Sequence, residues 1–412
     1  MLHDKNFVIT SDRSWSDSDM GDAQHMAMEM SRYNKVLYVN PPQDIIQLMK
    51  GSVDSEFRSN LLKGSNMAIK RINHSLWIME PPVVIAPVNK ISYDSVFDIL
   101  NKKNNRKLSR AIHWAMNELN FNEVIHINDN DVFGSFYLKE LLMPKLSVYY
   151  KISGRRRFNY IEDQINRLEK ILVRKSDIII TNSDAYAVKF REQNLNSFSI
   201  GQGVDFSGNY IDYSINNKLR SIPGPIIGYT GNLDIKHMSP DLIFKLAVSR
   251  PDYSIVLIGT EDRIFKRHSI HMLPNVFFIR EDRADKYLSY ATYFDVCIYP
   301  VAVNNITNKQ YHSKIDEYLY IGKPVVACDM PAMNNFYGHV YLAGDSNNFI
   351  NLVDIALRED VNVQVLDACI EFAKSHSWEN CVEKIHYLID IILRKSYPGD
   401  RFDIYEESMV YS

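Results

Sequence analysis

Cysteine is scarce. The 412 residues hold four, Cys297, Cys328, Cys369 and Cys381, with no C-x-x-C pair and no histidine at metal-ligand spacing. That excludes a disulfide-stapled scaffold or a zinc ribbon and suits a reducing compartment. Cys297 and Cys328 fall in apolar strand-like runs, where a thiol serves as a small hydrophobe. No apolar run approaches the roughly 18 residues needed to cross a bilayer, and the opening MLHDKNFVITSDRSW is too polar for a secretory leader. Neither charge sign is in excess: 47 Lys and Arg stand against 50 Asp and Glu, a net charge of -3, so no electrostatic footprint of nucleic acid is present. A cytoplasmic protein is expected, attached at most to the inner face of a membrane. Internal repeats and low-complexity tracts are absent too.

What is there is an ordinary core-forming composition, 46% hydrophobic and 24% charged, in a chain about three times a typical domain, so two domains are expected. FVIT, a polar loop SDRSWSDSDMGD, a helical run AQHMAMEMSRY and the strand KVLYVNPP make a strand–helix–strand unit. LWIMEPP, a helix around KLSRAIHWAMNEL, EVIHIND, KLSVYYKIS, a helix at YIEDQINRLEKILVRK and DIIITNS continue the alternation. Nearly every strand is a continuous apolar run, the pattern of parallel strands covered on both faces. Around NNKLRSIPGPIIGYTG a polar, proline-containing stretch reads as a linker, after which the alternation restarts with SPDLIFKLAVSR, YSIVLIGT, VFFIR, DKYLSYATYF, DVCIYP and HSKIDEYLYIGKPVVACD. The expected domains span residues 1–215 and 222–385, with 386–412 a helix and tail returning to the first. The crossing back to the first domain is expected from about Ser377 onward, where Val382, Ile385, Leu388 and Ile389 form a helical stripe suited to core packing. Ligands of parallel sheets bind beyond the carboxyl ends of the strands, so a cleft between two such domains is the default site.

The stretch HSKIDEYLYIGKPVVACD predicts a two-turn helix from Lys314 to Ile321, with Ser313 as N-cap, Asp316 as its capping-box partner, Gly322 as left-handed stop and Pro324 as terminator. Lys314 lies in the first turn, where the helix dipole disfavours a cation. An anion such as a phosphate, held at the unpaired N–H groups, would complete that arrangement. Glu317, one turn on, can accept hydrogen bonds from sugar hydroxyls; a simple Lys314–Glu317 surface ion pair is the competing account. A second element is the turn Gly231-Asn232 after IIGYT, where glycine lets backbone approach a ligand, with Lys236 and His237 adding charge. Further strand ends bring Gly259-Thr260, Arg280 with its Glu281-Asp282-Arg283 loop, and Tyr299-Pro300.

These segments, in this order, resemble the donor domain of GT-B fold retaining glycosyltransferases, family 4, and within it the bacterial enzymes of capsular, exopolysaccharide and teichuronic-acid assembly. The signatures are IIGYTGNLD, PDYSIVLIGT, LPNVFFI, YFDVCIYP and above all KIDEYLYIGKPVVACD, with FVIT…KVLYVNPP and DIIITNSDAYAVKF…IGQGVDF in the first half. The resemblance implies an α/β GT-B fold of two Rossmann-like domains with parallel sheets facing across a cleft. A nucleotide-sugar donor, UDP- or GDP-linked, would bind the second domain, and a glycan or lipid-linked acceptor the first. Transfer would retain configuration without a metal or other cofactor. By position Glu317 matches the second glutamate of the E-x7-E motif, which binds ribose hydroxyls. Lys314 and Gly231-Asn232 match the diphosphate segments, Arg280 the base-binding loop, and Asp205 the N-G-V-D segment. The first glutamate of E-x7-E is replaced by Lys309. A histidine common at the end of EVIHIND is replaced by Asn128, with His126 two residues earlier.

Expected catalytic residues are Lys314, Glu317 and Asn128. Donor binding falls to Gly231, Asn232, Lys236, Gly259, Thr260, Arg280, Tyr299, Ser313, Lys314 and Glu317. The acceptor side takes Asp19, Gly21, His126 and Asp129, with Asp131 alongside. Arg155, Arg156 and Arg157 read first as a solvated turn, with contact to anionic lipid or a phosphate-bearing acceptor as the alternative. Two rival functions share the fold. A nucleotide-sugar epimerase needs an acid–base pair facing the sugar, and none is evident. A degenerate nucleotide-sugar-binding partner of another transferase would bind without turnover.

Overall fold

The computed structural model describes residues 2–16, 20–49, 69–88, 91, 93–152, 162–206, 219–304, 307–309, 311–358 and 363–395. The chain forms two compact units, one of Met1–Gly203 with Trp378–Ser412, the other of Val204–Ser377.

The first unit is built on eight strands. Strands β1 (Asn6–Ser11), β2 (Lys35–Val39), β4 (Ile69–Arg71), β5 (Leu76–Met79), β7 (Ile125–Asp129), β8 (Leu146–Lys151), β9 (Ile178–Thr181) and β10 (Ser197–Ser199) lie in the order β10-β9-β8-β7-β1-β2-β5-β4. All neighbours are parallel except β4 and β5. A separate two-strand pair joins β3 (Gln43–Asp44) to β6 (Val84–Ile85). The alternation of side chains along β1 explains its uninterrupted apolar run. Phe7 and Ile9 enter a core with Met26 and Met30, while Val8 enters another with Leu108 and Ile112 of the helix Asp94–Glu118. Strand order changes direction at β1, which pairs with β2 on one side and β7 on the other, so Thr10–Asn128 and Ser11–Asp129 are adjacent at the strand ends.

The helix Trp378–Lys395 belongs to this unit along its whole length, so the return begins at Trp378, next to the crossing expected near Ser377, and the domain bound at residue 385 falls inside the helix. Its Val382, Ile385 and Ile389 are buried in the same core as Phe7 and Ile9, and Leu388 packs against them. The stripe read from the sequence is core. At the base of this helix the Trp378 indole lies against Gly203, where an added Cβ would fall 2.3 Å from a ring carbon. Glycine is required there by the close approach.

The second unit has six parallel strands, β11 (Ile226–Thr230), β12 (Ser254–Ile258), β13 (Val276–Ile279), β14 (Val296–Tyr299), β15 (Val325–Cys328) and β16 (Tyr341–Ala343), ordered β13-β12-β11-β14-β15-β16. One face carries the helices Pro240–Ser249 and Ser346–Arg358 through Leu242, Ile243, Phe349 and Val353. The other carries Tyr290 of the helix Tyr287–Ala291 and Ile315, Tyr318 and Leu319 of the helix Ser313–Tyr320. Here too strand order reverses, between β11 and β14, and the ends of β11, β12 and β14 are neighbours.

Candidate functional site

The helix Ser313–Tyr320 begins one residue earlier than its sequence suggests. His312 takes the N-cap position, without a side-chain cap bond, and Ser313 is the first helical residue. That corrects the capping assignment. The buried imidazole of His312 is committed elsewhere. Its Nε2 lies 3.1 Å from the Thr307 carbonyl, which only accepts, so Nε2 carries the proton and Nδ1 accepts from the Tyr299 hydroxyl at 2.9 Å. Burial holds His312 neutral, its pKa pushed down to about 4. Asp316 does not reach back to the helix start. It is fully buried, accepting from the Tyr311 hydroxyl at 2.7 Å and lying 2.8 Å from His376 Nδ1. With the N-cap moved to His312, the box position falls on Ile315, and Asp316 turns to the packed face beside Leu319. Burial raises its carboxyl pKa. Gly322, at φ +69°, closes the helix by donating to Leu319.

Lys314 Nζ lies 2.6 Å from Glu317 Oε2, and the two side chains are only 18% and 25% exposed. The pair is therefore not a loose surface bridge. The ammonium also sits 5.1 Å from the centre of the Tyr287 ring, a cation–π contact that sequence reasoning did not anticipate. Tyr318, on the buried face of the same helix, ties it to the end of β11. Its hydroxyl accepts from Thr230 N–H at 2.9 Å and donates to the Thr230 carbonyl at 3.4 Å.

Immediately beyond Thr230 the backbone turns at Gly231, with φ +144°, and beyond β12 at Gly259, with φ +147°. A Cβ on Gly259 would sit 1.8 Å from the Gly231 carbonyl oxygen, and one on Gly231 would sit 2.7 Å from the Tyr229 hydroxyl. Both glycines are thus dictated by backbone conformation and by the contact of one turn with the other. Asn232 and Thr260 extend the two turns and bond each other, Thr260 Oγ1 to Asn232 Oδ1 at 3.1 Å. Tyr229 and Tyr299 face one another with ring centres 6.2 Å apart. Burial raises both phenols well above the ordinary range, with the Glu317 carboxylate a lesser contributor to each.

The structure therefore gathers Gly231, Asn232, Gly259, Thr260, Tyr299, Ser313, Lys314 and Glu317 around one edge of the second sheet. Tyr229, Tyr287 and Tyr318 complete the group. The tyrosine-rich composition was the only signal for them, and it does not say where they meet. Two expected members are less engaged. Lys236 stands exposed in the loop, where its carbonyl accepts from Asn304. Arg280 is 79% exposed and pairs with Asp282 at 3.2 Å. The ordered part of its loop is Glu281, which accepts from Tyr290 through the carboxylate and from Tyr287 through the backbone carbonyl.

In the first unit the expected acceptor residues form a buried polar cluster. His126, its pKa pushed down to about 4 by burial, lies 3.0 Å from Thr10 Oγ1, which accepts from Ser135 Oγ at 2.7 Å. Asn128 is buried, and its amide holds a turn, Oδ1 accepting from Asp131 N–H at 2.9 Å and Nδ2 donating to the Asp131 carbonyl at 3.1 Å. Asp129 is buried and accepts from Ser11 Oγ at 2.6 Å, while Asp131 Oδ1 caps Gly134 N–H at 2.9 Å. Gly21 precedes the helix Asp22–Met30, its N–H donated to Gln24 Oε1 and its Cα close to the Arg13 guanidinium. Asp19 and Arg155–Arg157 lie outside the described residues.

No family model matches the chain. A protein of Bacillus subtilis (strain 168) assigned to teichuronic acid biosynthesis as a glycosyltransferase, TuaH, is 25% identical over 255 residues, 56% of this chain and 61% of that one. The chain thus matches about three fifths of that relative's length. Among solved structures, Anabaena HepE in complex with UDP superposes with a TM-score of 0.63 at 13% identity, covering 94% of this chain and 99% of that one. Sucrose-phosphate synthase from Thermosynechococcus elongatus gives 0.62 at 12%, covering 95% and 100%. The α,α-trehalose 6-phosphate synthase of Burkholderia multivorans gives 0.64 at 10%, covering 96% and 100%. With two parallel α/β units superposing over nearly their whole length on these enzymes, the chain has the GT-B fold and resembles the glycosyltransferases built on it.

Proposed function

We propose that the protein is a glycosyltransferase that takes a sugar from a nucleotide-sugar donor held in the unit Val204–Ser377 and passes it to a glycan or lipid-linked acceptor engaged by the unit Met1–Gly203. The setting would be bacterial surface-polysaccharide assembly. One observation carries this reading. The half-buried Lys314–Glu317 pair stands in the first turns of a helix that Tyr318 bonds directly to the strand leading into the Gly231 turn. Backbone N–H groups of a glycine turn, a helix N-terminus and one lysine together suit a diphosphate.

In this mechanism the Lys314 ammonium, steadied by the Tyr287 ring, neutralises the diphosphate as it leaves, and the Asn232 and Ser313 amides supply further donors, the Gly231 N–H being donated to the Ile258 carbonyl at 2.8 Å. Glu317, fixed by its bond to Lys314, accepts from ribose hydroxyls. The acceptor oxygen bonds to the anomeric carbon as the bond to the diphosphate oxygen breaks on the same face, and the hydroxyl proton passes to that departing oxygen, which would retain configuration. In this reading the charge is met by these groups without a metal. Asn128, a carboxamide, can bond a sugar hydroxyl but carries no proton in the transfer.

UDP- and GDP-linked sugars incubated with the protein, with and without acceptor glycans or lipids, test the reading. Nucleotide release that depends on acceptor is expected. Isomerised sugar without release would instead indicate an epimerase, and tight binding without turnover a binding partner.

A further inference from the structure

The helix Asp94–Glu118 has two faces of opposite character, and among the described residues one is packed and the other exposed. Phe97, Asn104, Leu108, Ile112 and Ala115 are buried against the first sheet and its neighbours. On the opposite side Val96, Ile99, Lys103, Arg106 and Arg110 recur at three- and four-residue intervals and are all exposed. Lys102 and Lys107 flank them, so the seven side chains occupy an arc of about 140° on a helix about 37 Å long.

Residues 99–117 contain five Lys or Arg and no Asp or Glu, in a chain whose charges otherwise nearly balance. The two carboxylates at the start of the helix do not neutralise the stripe, because Asp98 and Asp94 are drawn to Arg167, at 2.7 and 3.9 Å. Among the described residues none of the five cations has a carboxylate partner. Lys107 reaches the Val84 carbonyl at 2.8 Å, and Lys102 lies 5.9 Å from the centre of the Tyr137 ring. At the amino end of the same stripe three large apolar side chains stand in water, Tyr93 at 79%, Val96 at 48% and Ile99 at 69% exposure.

We propose that this face docks the first unit on an anionic lipid bilayer. Tyr93, Val96 and Ile99 enter the headgroup layer, and Lys103, Arg106 and Arg110 meet lipid phosphates. A solvated or polyanion-binding surface accounts for the cations but leaves the apolar trio in water; a bilayer interface takes both. The inference is independent of the nucleotide-sugar reading, since the helix lies in the other unit and none of its residues belongs to that site.

The test is co-sedimentation of the full chain with vesicles of phosphatidylcholine alone or with about 30% phosphatidylglycerol. Binding is expected only to the anionic vesicles and should weaken steeply with salt. The triple variant Lys103→Glu, Arg106→Glu, Arg110→Glu should lose roughly 100-fold or more in partitioning, since each basic residue near the surface contributes about fivefold. Val96→Ser with Ile99→Ser should lose roughly tenfold through lost burial alone. Thermal unfolding and nucleotide affinity should be unchanged in both. Equal binding to neutral and anionic vesicles, or wild-type partitioning by the triple variant, overturns the proposal. So does a Val96/Ile99 variant that binds as wild type while heparin displaces the protein fully, which would mark a site for a soluble polyanion.

Discussion

At Gly259 the chain has φ +147° and runs within contact of the Gly231 carbonyl, so Gly259→Ala must both strain the backbone and push two turns apart. A loss on the order of 3 kcal/mol in the stability of the second unit is expected, measurable by urea unfolding. In the first unit, His386 is buried on Phe7, their rings 5.8 Å apart, and neither ring nitrogen has a hydrogen-bond partner among the described residues. Burial pushes its pKa from 6.5 to about 4, and His126 shows the same shift. Because the folded pKa lies below the unfolded one, both imidazoles leave stability intact above pH 6.5. As pH falls from 6.5 toward 4 the unfolded chain takes up the protons first, and stability is lost by up to about 1.4 kcal/mol per pH unit for each group. His386→Phe should remove one proton from that acid slope and add about 1 kcal/mol at pH 7. An unchanged slope in unfolding titrations between pH 7 and 4.5 would contradict this assignment.

Among the elements, the helix Ser313–Tyr320 gathers most of the second unit's polar chemistry. Its outer side carries Lys314 and Glu317, while its inner side carries Tyr318 and the carboxylate of Asp316, bonded to Tyr311 and His376. His376 in turn accepts Val204 N–H through its carbonyl, where the two crossing segments run side by side. Asp316→Ala should therefore cost roughly 2 kcal/mol in the second unit, since it removes the buried acceptor shared by half-buried Tyr311 and His376, which keep each other at 3.0 Å. Calorimetry should show the first unit's transition unmoved. The helix itself was legible in the sequence, from its glycine stop and its proline. Its capping was not, because a one-residue shift in the N-cap exchanges which side chain faces the core. The strands were legible for a plainer reason: short continuous apolar runs between turn residues, repeated in alternation with helices, suit buried parallel strands. The tyrosines around Lys314 were invisible because they converge from four separate segments, and no local pattern announces a meeting of distant residues.

For the whole molecule, chain order and unit composition differ. The second unit is one continuous stretch, while the first needs both ends of the chain, Trp378, Val382, Ile385 and Ile389 filling its core. Removing residues 378–412 should leave the first unit insoluble, whereas residues 204–377 expressed alone should fold cooperatively. The alternation of strands and helices made the two-unit architecture readable. The crossing back near Ser377 was readable from Trp378 and the apolar stripe behind it, whereas a domain bound at residue 385 cuts through what is one continuous helix.

The central claim, a nucleotide-diphosphate site at the Lys314 helix, is tested most directly by calorimetric titration of UDP and GDP into the intact protein and into Lys314→Ala and Glu317→Ala. The account predicts saturable binding of one nucleotide by the wild type and a loss of roughly 30-fold or more in each variant, as expected for truncating a charged, hydrogen-bonded contact, with thermal unfolding unchanged. Equal affinity in either variant would contradict it.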